Sequence, residues 1–221
     1  MIRRLRLLTA IAVCTALAIA CSEVRADDVV ARSARYSQDY ANDMTEAVTA
    51  IALPPNSPQW TRVNRIVARL GAALGQSDWT VIIFQEARMP RHMDVPAFAI
   101  PGRRIAVSDW EVLVLSDDTL AFMLAHEMGH VELGHQNQIW ELIMKQTGLH
   151  PRTWTDLAKH ASVAASLARS QEYEADKFGF TLAQNAGFDA AQGARALFAN
   201  LPRDDMHPSP LSREAALGIW P

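Results

Sequence analysis

Two histidines set one helical turn apart are the strongest chemical signal in the sequence. The segment His126-Glu127-Met128-Gly129-His130 has the pattern H-E-x-x-H. Residues i and i+4 share a helix face, so both imidazoles can point at one metal ion. Glu127 lies about 100° around the helix axis from His126, which lets its carboxylate reach a water molecule beside the metal. The pattern predicts a catalytic metal site, and its alternative is a solvated helix face with two spaced histidines.

A catalytic zinc site needs a third protein ligand and an open fourth position. His135 follows His130 by five residues, which does not match the metzincin spacing, so we expect His135 to be a histidine on the helix surface. His207 stands in a polar loop before Pro208 and Pro210, and a solvent-exposed loop histidine is the simpler interpretation. Its imidazole is also a candidate for the open position, where it would act as a gate or as an oxyanion donor.

An acidic run offers the other source of a third ligand. Glu172 and Asp176 are spaced i and i+4, so they share one helix face, while Glu174 points away from it. One carboxylate on the shared face can bind the metal while the other orients a ligand histidine from behind. The spacing alone leaves open which carboxylate takes which role, and an acidic patch on a solvated helix is the alternative.

Three short strands are expected ahead of the histidine motif. Residues 81–84 form a β-branched and aromatic run that indicates a buried strand. Residues 97–100 and 104–107 resemble two more strands joined by a turn. Because Pro96 cannot donate a backbone hydrogen bond, it belongs at or beside a sheet edge.

Helical signals cover most of the remaining chain. Ser57 precedes Pro58 as the cap of one helix, and Ser116 caps the helix that carries the histidine motif. A long helix over about residues 156–184 carries the acidic run. The sequence therefore predicts an α+β fold that is mostly helical, with a small three-stranded sheet. A first helix is indicated by residues at four-residue spacing: Tyr36, Tyr40, Met44 and Val48.

Four ordered segments resemble the HtpX-type and CAAX-prenyl-protease-type zinc metallopeptidases, a gluzincin family. The resemblance runs from about Trp79 to Arg213 and is closest to the small exported bacterial members. It implies a zincin-type fold, one zinc ion per chain, and Glu172 as the third ligand beside His126 and His130. With Glu172 on the metal, Asp176 on the same helix face is the carboxylate expected behind a ligand histidine. The segments are Ala97–Gly102 (AFAIPG), Leu124–Val131 (LAHEMGHV), Ser170–Asp176 (SQEYEAD) and His207–Ser209 (HPS).

Two positions depart from the family pattern near the expected sheet edge. Pro96 stands where the family usually has asparagine, and Arg103 stands where it usually has a second glycine. Both concern the edge that would meet a substrate, and neither belongs to the metal site.

Residues 1–26 have the features of an export signal. Three arginines precede the 14-residue apolar run 7–20, which is shorter than the roughly 20 residues of a membrane-spanning helix. Residues 18–21 resemble a lipobox that would make a lipidated Cys21 the first mature residue. The alternatives are an ordinary cleavage after Ala26 and, less compatible with so short a run, an uncleaved apolar anchor. We expect a single catalytic domain over residues 27–221, in the periplasm or on the periplasmic face of the outer membrane.

The composition limits the classes of partner. The net charge of −3 over 221 residues provides no global basic field for nucleic acid. Both cysteines, Cys14 and Cys21, precede the predicted mature domain, so no disulfide is expected within it. With 49% hydrophobic residues, the chain can build an ordinary core.

These observations predict a zinc-dependent metalloendopeptidase that hydrolyses unfolded or misassembled proteins of the cell envelope. An extended substrate would pair with the edge strand near residues 97–100. One alternative is a chaperone-like envelope protein with a structural zinc site, which would have no need of Glu127 as a base. A zinc hydrolase of non-peptide substrates is a further alternative. The sequence does not predict the oligomeric state.

Overall fold

Helices account for most of the structure, which is a computed structural model describing residues 31–32, 34–35, 37–89, 95–148, 160–200 and 207–220. The predicted export signal, its two cleavage alternatives and Tyr36 lie outside the described residues. In chain order the elements are α1 (residues 37–49), α2 (Pro58–Leu74), β1 (Thr80–Phe84), β2 (Ala97–Ile100), β3 (Arg104–Ser108), α3 (Asp109–Val114), α4 (Asp117–Glu132), α5 (His135–Thr147), α6 (Ala161–Asn185), α7 (Ala190–Asn200) and α8 (Pro210–Leu217).

The three strands form a mixed sheet in the order β1-β3-β2. β1 runs parallel to β3, and β2 runs antiparallel to it. Residues 81–84 of β1 are all buried, as their continuous apolar run predicts. β2 lies at an edge, as Pro96 indicated, and the carbonyl of Pro96 accepts a hydrogen bond from the Ser108 N–H at 2.9 Å. The predicted class, a mostly helical α+β fold with a small three-stranded sheet, is confirmed.

Helix α4 lies in the middle of the fold. The Ser116 hydroxyl caps it by accepting a hydrogen bond from the Thr119 N–H at 3.2 Å. All six side chains from Leu120 to Ala125 are buried, which is the pattern of a helix surrounded by other elements. α4 packs against α6, α7 and β2. The last two turns of this buried helix carry the histidine motif, so core packing fixes the position of both imidazoles.

Glycines allow α4 to approach its neighbours at backbone distance. A Cβ atom built on Gly179 of α6 would lie 2.7 Å from the backbone nitrogen of His126. A Cβ atom on Gly193 of α7 would lie 2.4 Å from the carbonyl oxygen of Asp118. Both distances are shorter than nonbonded atoms tolerate, so no other residue fits without moving a helix. The position of His126 therefore depends on a glycine in another helix.

The long helix α6 carries the acidic run, as the sequence predicts. It spans Ala161–Asn185, and the predicted residues 156–159 lie outside the described residues. Gly187 follows with a φ of 77°, the left-handed conformation that commonly terminates a helix. Within the described ranges, no helix has both the length and the apolar character needed to cross a membrane.

Two short helices were not anticipated from the sequence. The Ser108 hydroxyl caps α3 by accepting hydrogen bonds from the N–H groups of Trp110 and Glu111. Ser209 caps α8 in the same way, and Pro210 is its first residue. The predicted polar loop around His207 therefore ends at Pro210, where α8 begins. This helix brings the buried Arg213 toward the histidine motif.

Replacing Gly179 by alanine is expected to destabilise the protein and weaken metal binding. The added methyl group meets backbone atoms of α4, and overpacking of this kind costs about 1–3 kcal/mol. This cost exceeds the roughly 1 kcal/mol that alanine gains in helix propensity. Urea unfolding and metal titration would measure both effects. Thr181→Ala, at an exposed position on the same helix, is the control, and equal behaviour of the two variants would contradict the close approach of the helices.

Candidate metal centre

Three side chains from two helices converge in the interior. α4 contributes His126 and His130, and α6 contributes Glu172. Their ligand atoms all lie within 4.8 Å of one another. His130 Nε2 lies 3.0 Å from His126 Nε2 and 3.2 Å from a carboxylate oxygen of Glu172. One metal ion could therefore be held by two imidazole nitrogens and one carboxylate, a set typical of zinc.

The state of the Glu172 carboxylate fits a bound cation. Its Oε2 atom is buried and has no hydrogen-bond partner among the described residues, whereas buried polar atoms are normally satisfied. Burial raises the pKa of Glu172, but His126, His130 and the Arg213 guanidinium outweigh that effect and hold the pKa well below its usual range. Arg213 Nη2 lies 3.3 Å from Glu172 Oε2 without a hydrogen bond to it, so the group is a charged carboxylate that can still bind a cation.

Asp176 orients His126 from the side opposite to the converging ligand atoms. Its Oδ1 atom lies 3.0 Å from His126 Nδ1, and the carboxylate is completely buried. Arg213 of α8 donates to both Asp176 oxygens, at 2.7 Å from Nε and 2.6 Å from Nη2. Burial raises the pKa of Asp176, but the hydrogen bonds from Arg213 and His126 outweigh burial, so the pKa lies below its usual value. An ionised Asp176 keeps the proton on His126 Nδ1, which leaves Nε2 free to bind a metal.

His135 is not the surface histidine that the sequence suggested. It is 1% exposed, and its Nδ1 atom lies 2.9 Å from Nδ1 of His130. Burial and the neighbouring His130 lower the pKa of His135 to about 4, so it is neutral near pH 7. The expectation failed because it rested on spacing along one helix. Gly134 adopts a left-handed φ of 67°, and the chain turns there into a new helix.

The remaining predicted residues surround this group. Glu127 is partly buried. Burial lowers the pKa of His130, but Glu172 outweighs burial and raises it, and the Glu127 carboxylate adds a smaller effect in the same direction. Nε2 of His207 lies 3.9 Å from Glu172 Oε1, and its side chain is 46% exposed. The structure therefore places His207, half-exposed, near the ligands, while its role as a gate or oxyanion donor stays a prediction. The guanidinium of Arg213 binds Asp176 and also lies 3.3 Å from Glu172 Oε2.

The edge strand lies beside the same helix. α4 packs against β2, and Gln136 at the start of α5 donates from Nε2 to the carbonyl oxygen of Ala99 at 2.6 Å. This contact joins the segment that follows the second histidine to the edge strand, so the strand is held next to the candidate metal centre.

The sequence pattern of peptidase family M48 matches residues 58–220. The chain belongs to peptidase family M48. Because M48 members are zinc metallopeptidases, the chain is a metallopeptidase, and the resemblance drawn from the four segments is confirmed at the level of the family. None of the curated proteins compared with the chain matches it. The closer likeness to small exported bacterial members, and the single-domain boundaries 27–221, stay predictions.

The buried pair of Asp176 and Arg213 is expected to dominate stability at the centre. Arg213→Met leaves Asp176 charged and buried without its main partner, and breaking a buried pair in this way costs about 3–5 kcal/mol. The double variant Asp176→Asn/Arg213→Met should recover part of the loss because asparagine is neutral. Urea unfolding of the metal-free protein would measure the free energies.

Arg65→Met is a control for this measurement. Arg65 forms a 2.5 Å ion pair with Asp117, but its side chain is 62% exposed, and exposed pairs contribute about 0–1 kcal/mol. Similar losses of unfolding free energy for Arg213→Met and Arg65→Met would show that burial does not distinguish the two pairs.

Proposed function

We propose that the protein is a zinc-dependent metalloendopeptidase that hydrolyses peptide bonds in extended polypeptides. The observation that carries the proposal is the convergence of His126, His130 and Glu172, with the Glu127 carboxylate on the residue next to the first histidine. A structural zinc site does not require such a carboxylate. Membership of peptidase family M48 supports peptide bonds over non-peptide substrates.

The residues of the centre have separate tasks in this reaction. His126, His130 and Glu172 would hold the zinc ion. When bound, zinc polarises the scissile carbonyl and lowers the pKa of water that it contacts. Glu127 accepts a proton from the attacking water and delivers it to the leaving amine nitrogen. Asp176 keeps the proton of His126 on Nδ1 and so preserves the ligand orientation.

The edge strand supports binding of an extended backbone. The hydrogen bond from the Ser108 N–H to the Pro96 carbonyl shows which residue pairs of β2 and β3 are hydrogen-bonded, since hydrogen-bonded and non-hydrogen-bonded pairs alternate along antiparallel strands. That alternation directs the N–H and C=O groups of Ala97 and Ala99 away from β3, and the bond from Gln136 to the Ala99 carbonyl agrees with it. Because Gln136 occupies the Ala99 carbonyl, a substrate could add there as a further strand through the remaining edge groups of Ala97 and Ala99, which requires an unfolded segment.

We also propose that the natural substrates are unfolded or misassembled proteins of the cell envelope. The predicted export signal over residues 1–26 and the backbone-directed binding edge support this proposal. A lipid on Cys21 would hold the protein at a membrane surface, and Cys21→Ala tests this through the fraction in which the mature protein is found.

Glu127→Gln is expected to keep its metal and lose proteolysis by about 10²–10⁴-fold, the range for removal of a general base. Zinc content and hydrolysis of unfolded casein, measured on the same preparation, would test this. Glu141→Gln on α5 is a control for the loss of a helix carboxylate. Near-normal turnover of metal-loaded Glu127→Gln would refute the general-base role. Binding of casein without cleavage by the wild-type protein would favour the chaperone-like alternative.

Glu172→Ala is expected to lose the metal, whereas Glu174→Ala keeps it. Glu172 is buried beside the two histidines, but the Glu174 side chain is 57% exposed and is not among the converging ligand groups. Metal analysis of both purified variants decides between the two carboxylates. Retention of zinc by Glu172→Ala together with its loss from Glu174→Ala would reverse the ligand assignment.

A further inference from the structure

The second histidine of the motif, His130, contacts the buried imidazole of His135 on the side of its ring opposite to Glu172. The rings of His130 and His135 lie 4.9 Å apart between centroids, at an angle of 78°. Their Nδ1 atoms are 2.9 Å apart, which is hydrogen-bond distance. Two ring nitrogens at this distance require one to donate and the other to accept.

The geometry of His130 determines which nitrogen donates. Its Nε2 atom faces His126 Nε2 at 3.0 Å and Glu172 at 3.2 Å, so Nε2 is the atom on the metal side. A nitrogen that binds a metal carries a lone pair, and the neutral imidazole then has its proton on Nδ1. His130 is thus the donor in this pair and His135 Nδ1 is the acceptor.

From this geometry we propose that His135 is a positioning residue that fixes the ring orientation and tautomer of His130. The inference rests on the proposed metal role of His130, and it does not depend on which substrate is cleaved. Ligand histidines commonly donate their second N–H to a carboxylate or a carbonyl group. In this protein His126 has a carboxylate partner, Asp176, whereas the partner of His130 is an imidazole.

The main chain holds His135 in place independently of its side chain. Gly134 turns the chain through a left-handed φ of 67°, and His135 begins α5. The carbonyl oxygen of His135 accepts a hydrogen bond from Nε2 of buried Gln171 at 3.1 Å. Gln171 directly precedes Glu172 in α6. His135, which accepts the hydrogen bond from His130, is therefore held by the residue that precedes Glu172, the third ligand.

A neutral acceptor also limits the negative charge beside the ligands. Glu172 and Asp176 already place two buried carboxylates around the histidines. With Nδ1 as the acceptor, His135 carries its proton on Nε2, a buried atom without a hydrogen bond to the described residues that lies 3.5 Å from an oxygen of Glu174. The imidazole therefore supplies an acceptor for His130 without adding a further buried charge.

Two substitutions separate positioning from packing. His135→Leu removes the acceptor and keeps an apolar side chain of comparable size in the buried site. His135→Asn keeps an oxygen acceptor close to the position of Nδ1. Full-length mature protein is loaded with Zn²⁺, and the rate of Zn²⁺ transfer to a chromogenic chelator is measured. The visible spectrum of the Co²⁺-substituted protein and urea unfolding of the metal-free protein are measured in parallel.

For His135→Leu we expect zinc loss about 10–100-fold faster than wild type, the usual effect of removing a ligand's hydrogen-bond partner. The Co²⁺ bands should shift, kcat should fall with KM little changed, and metal-free stability should not decrease. His135→Asn should stay within a few-fold of wild type in zinc loss. Either wild-type zinc retention with an unchanged Co²⁺ spectrum in His135→Leu, or equal defects in the two variants, would overturn the proposal.

The metal measurements separate this inference from the proposed activity. A zinc-loaded wild-type protein that cleaves no unfolded substrate would refute the proposed function but leave the difference in zinc retention measurable. Conversely, active protein whose zinc retention is insensitive to His135→Leu would refute the positioning role alone.

Discussion

The buried carboxylate of Asp176 is the contact on which the architecture of the centre depends. A charge without solvent must be paired and hydrogen-bonded, and Asp176 meets that requirement with groups from two other helices: His126 of α4 and Arg213 of α8. One side chain of α6 therefore fixes the relative positions of three helices. The same contact keeps the proton on His126 Nδ1 and directs the Nε2 lone pair toward Glu172. The interaction that joins the helices therefore also orients a ligand.

The sequence predicted the parts of this centre that depend on local spacing. The pairs His126/His130 and Glu172/Asp176 follow from the period of a helix, and both pairs come together in the structure. It did not predict that Arg213 binds Asp176 or that His135 contacts His130, because these contacts join residues from separate helices. Gly134 was a usable signal, since a glycine after the motif marks a helix end and redirects the residue that follows.

The secondary-structure elements also fall into those that the sequence predicted and those that it did not. The three strands were predictable because each is a short apolar run with a turn signal beside it. The short helices α3 and α8 were not, because they have too few residues to show a period and are stabilised by the caps Ser108 and Ser209. The close approach of α4 to α6 at Gly179 was also beyond the sequence, since a glycine inside a helical pattern does not identify the helix that it faces.

The charges of the described residues explain why these contacts suit a divalent cation. Glu127, Glu172 and Asp176 contribute three carboxylates in or beside the interior, and Arg213 contributes the one guanidinium that binds Asp176. Arg213 is shared between Asp176 and Glu172, so a divalent cation bound beside Glu172 would compensate carboxylate charge that the single guanidinium must otherwise balance. Binding to the native state alone also stabilises it by mass action. A carboxylate in place of His135 would upset this balance, which gives a physical reason for an imidazole at that position.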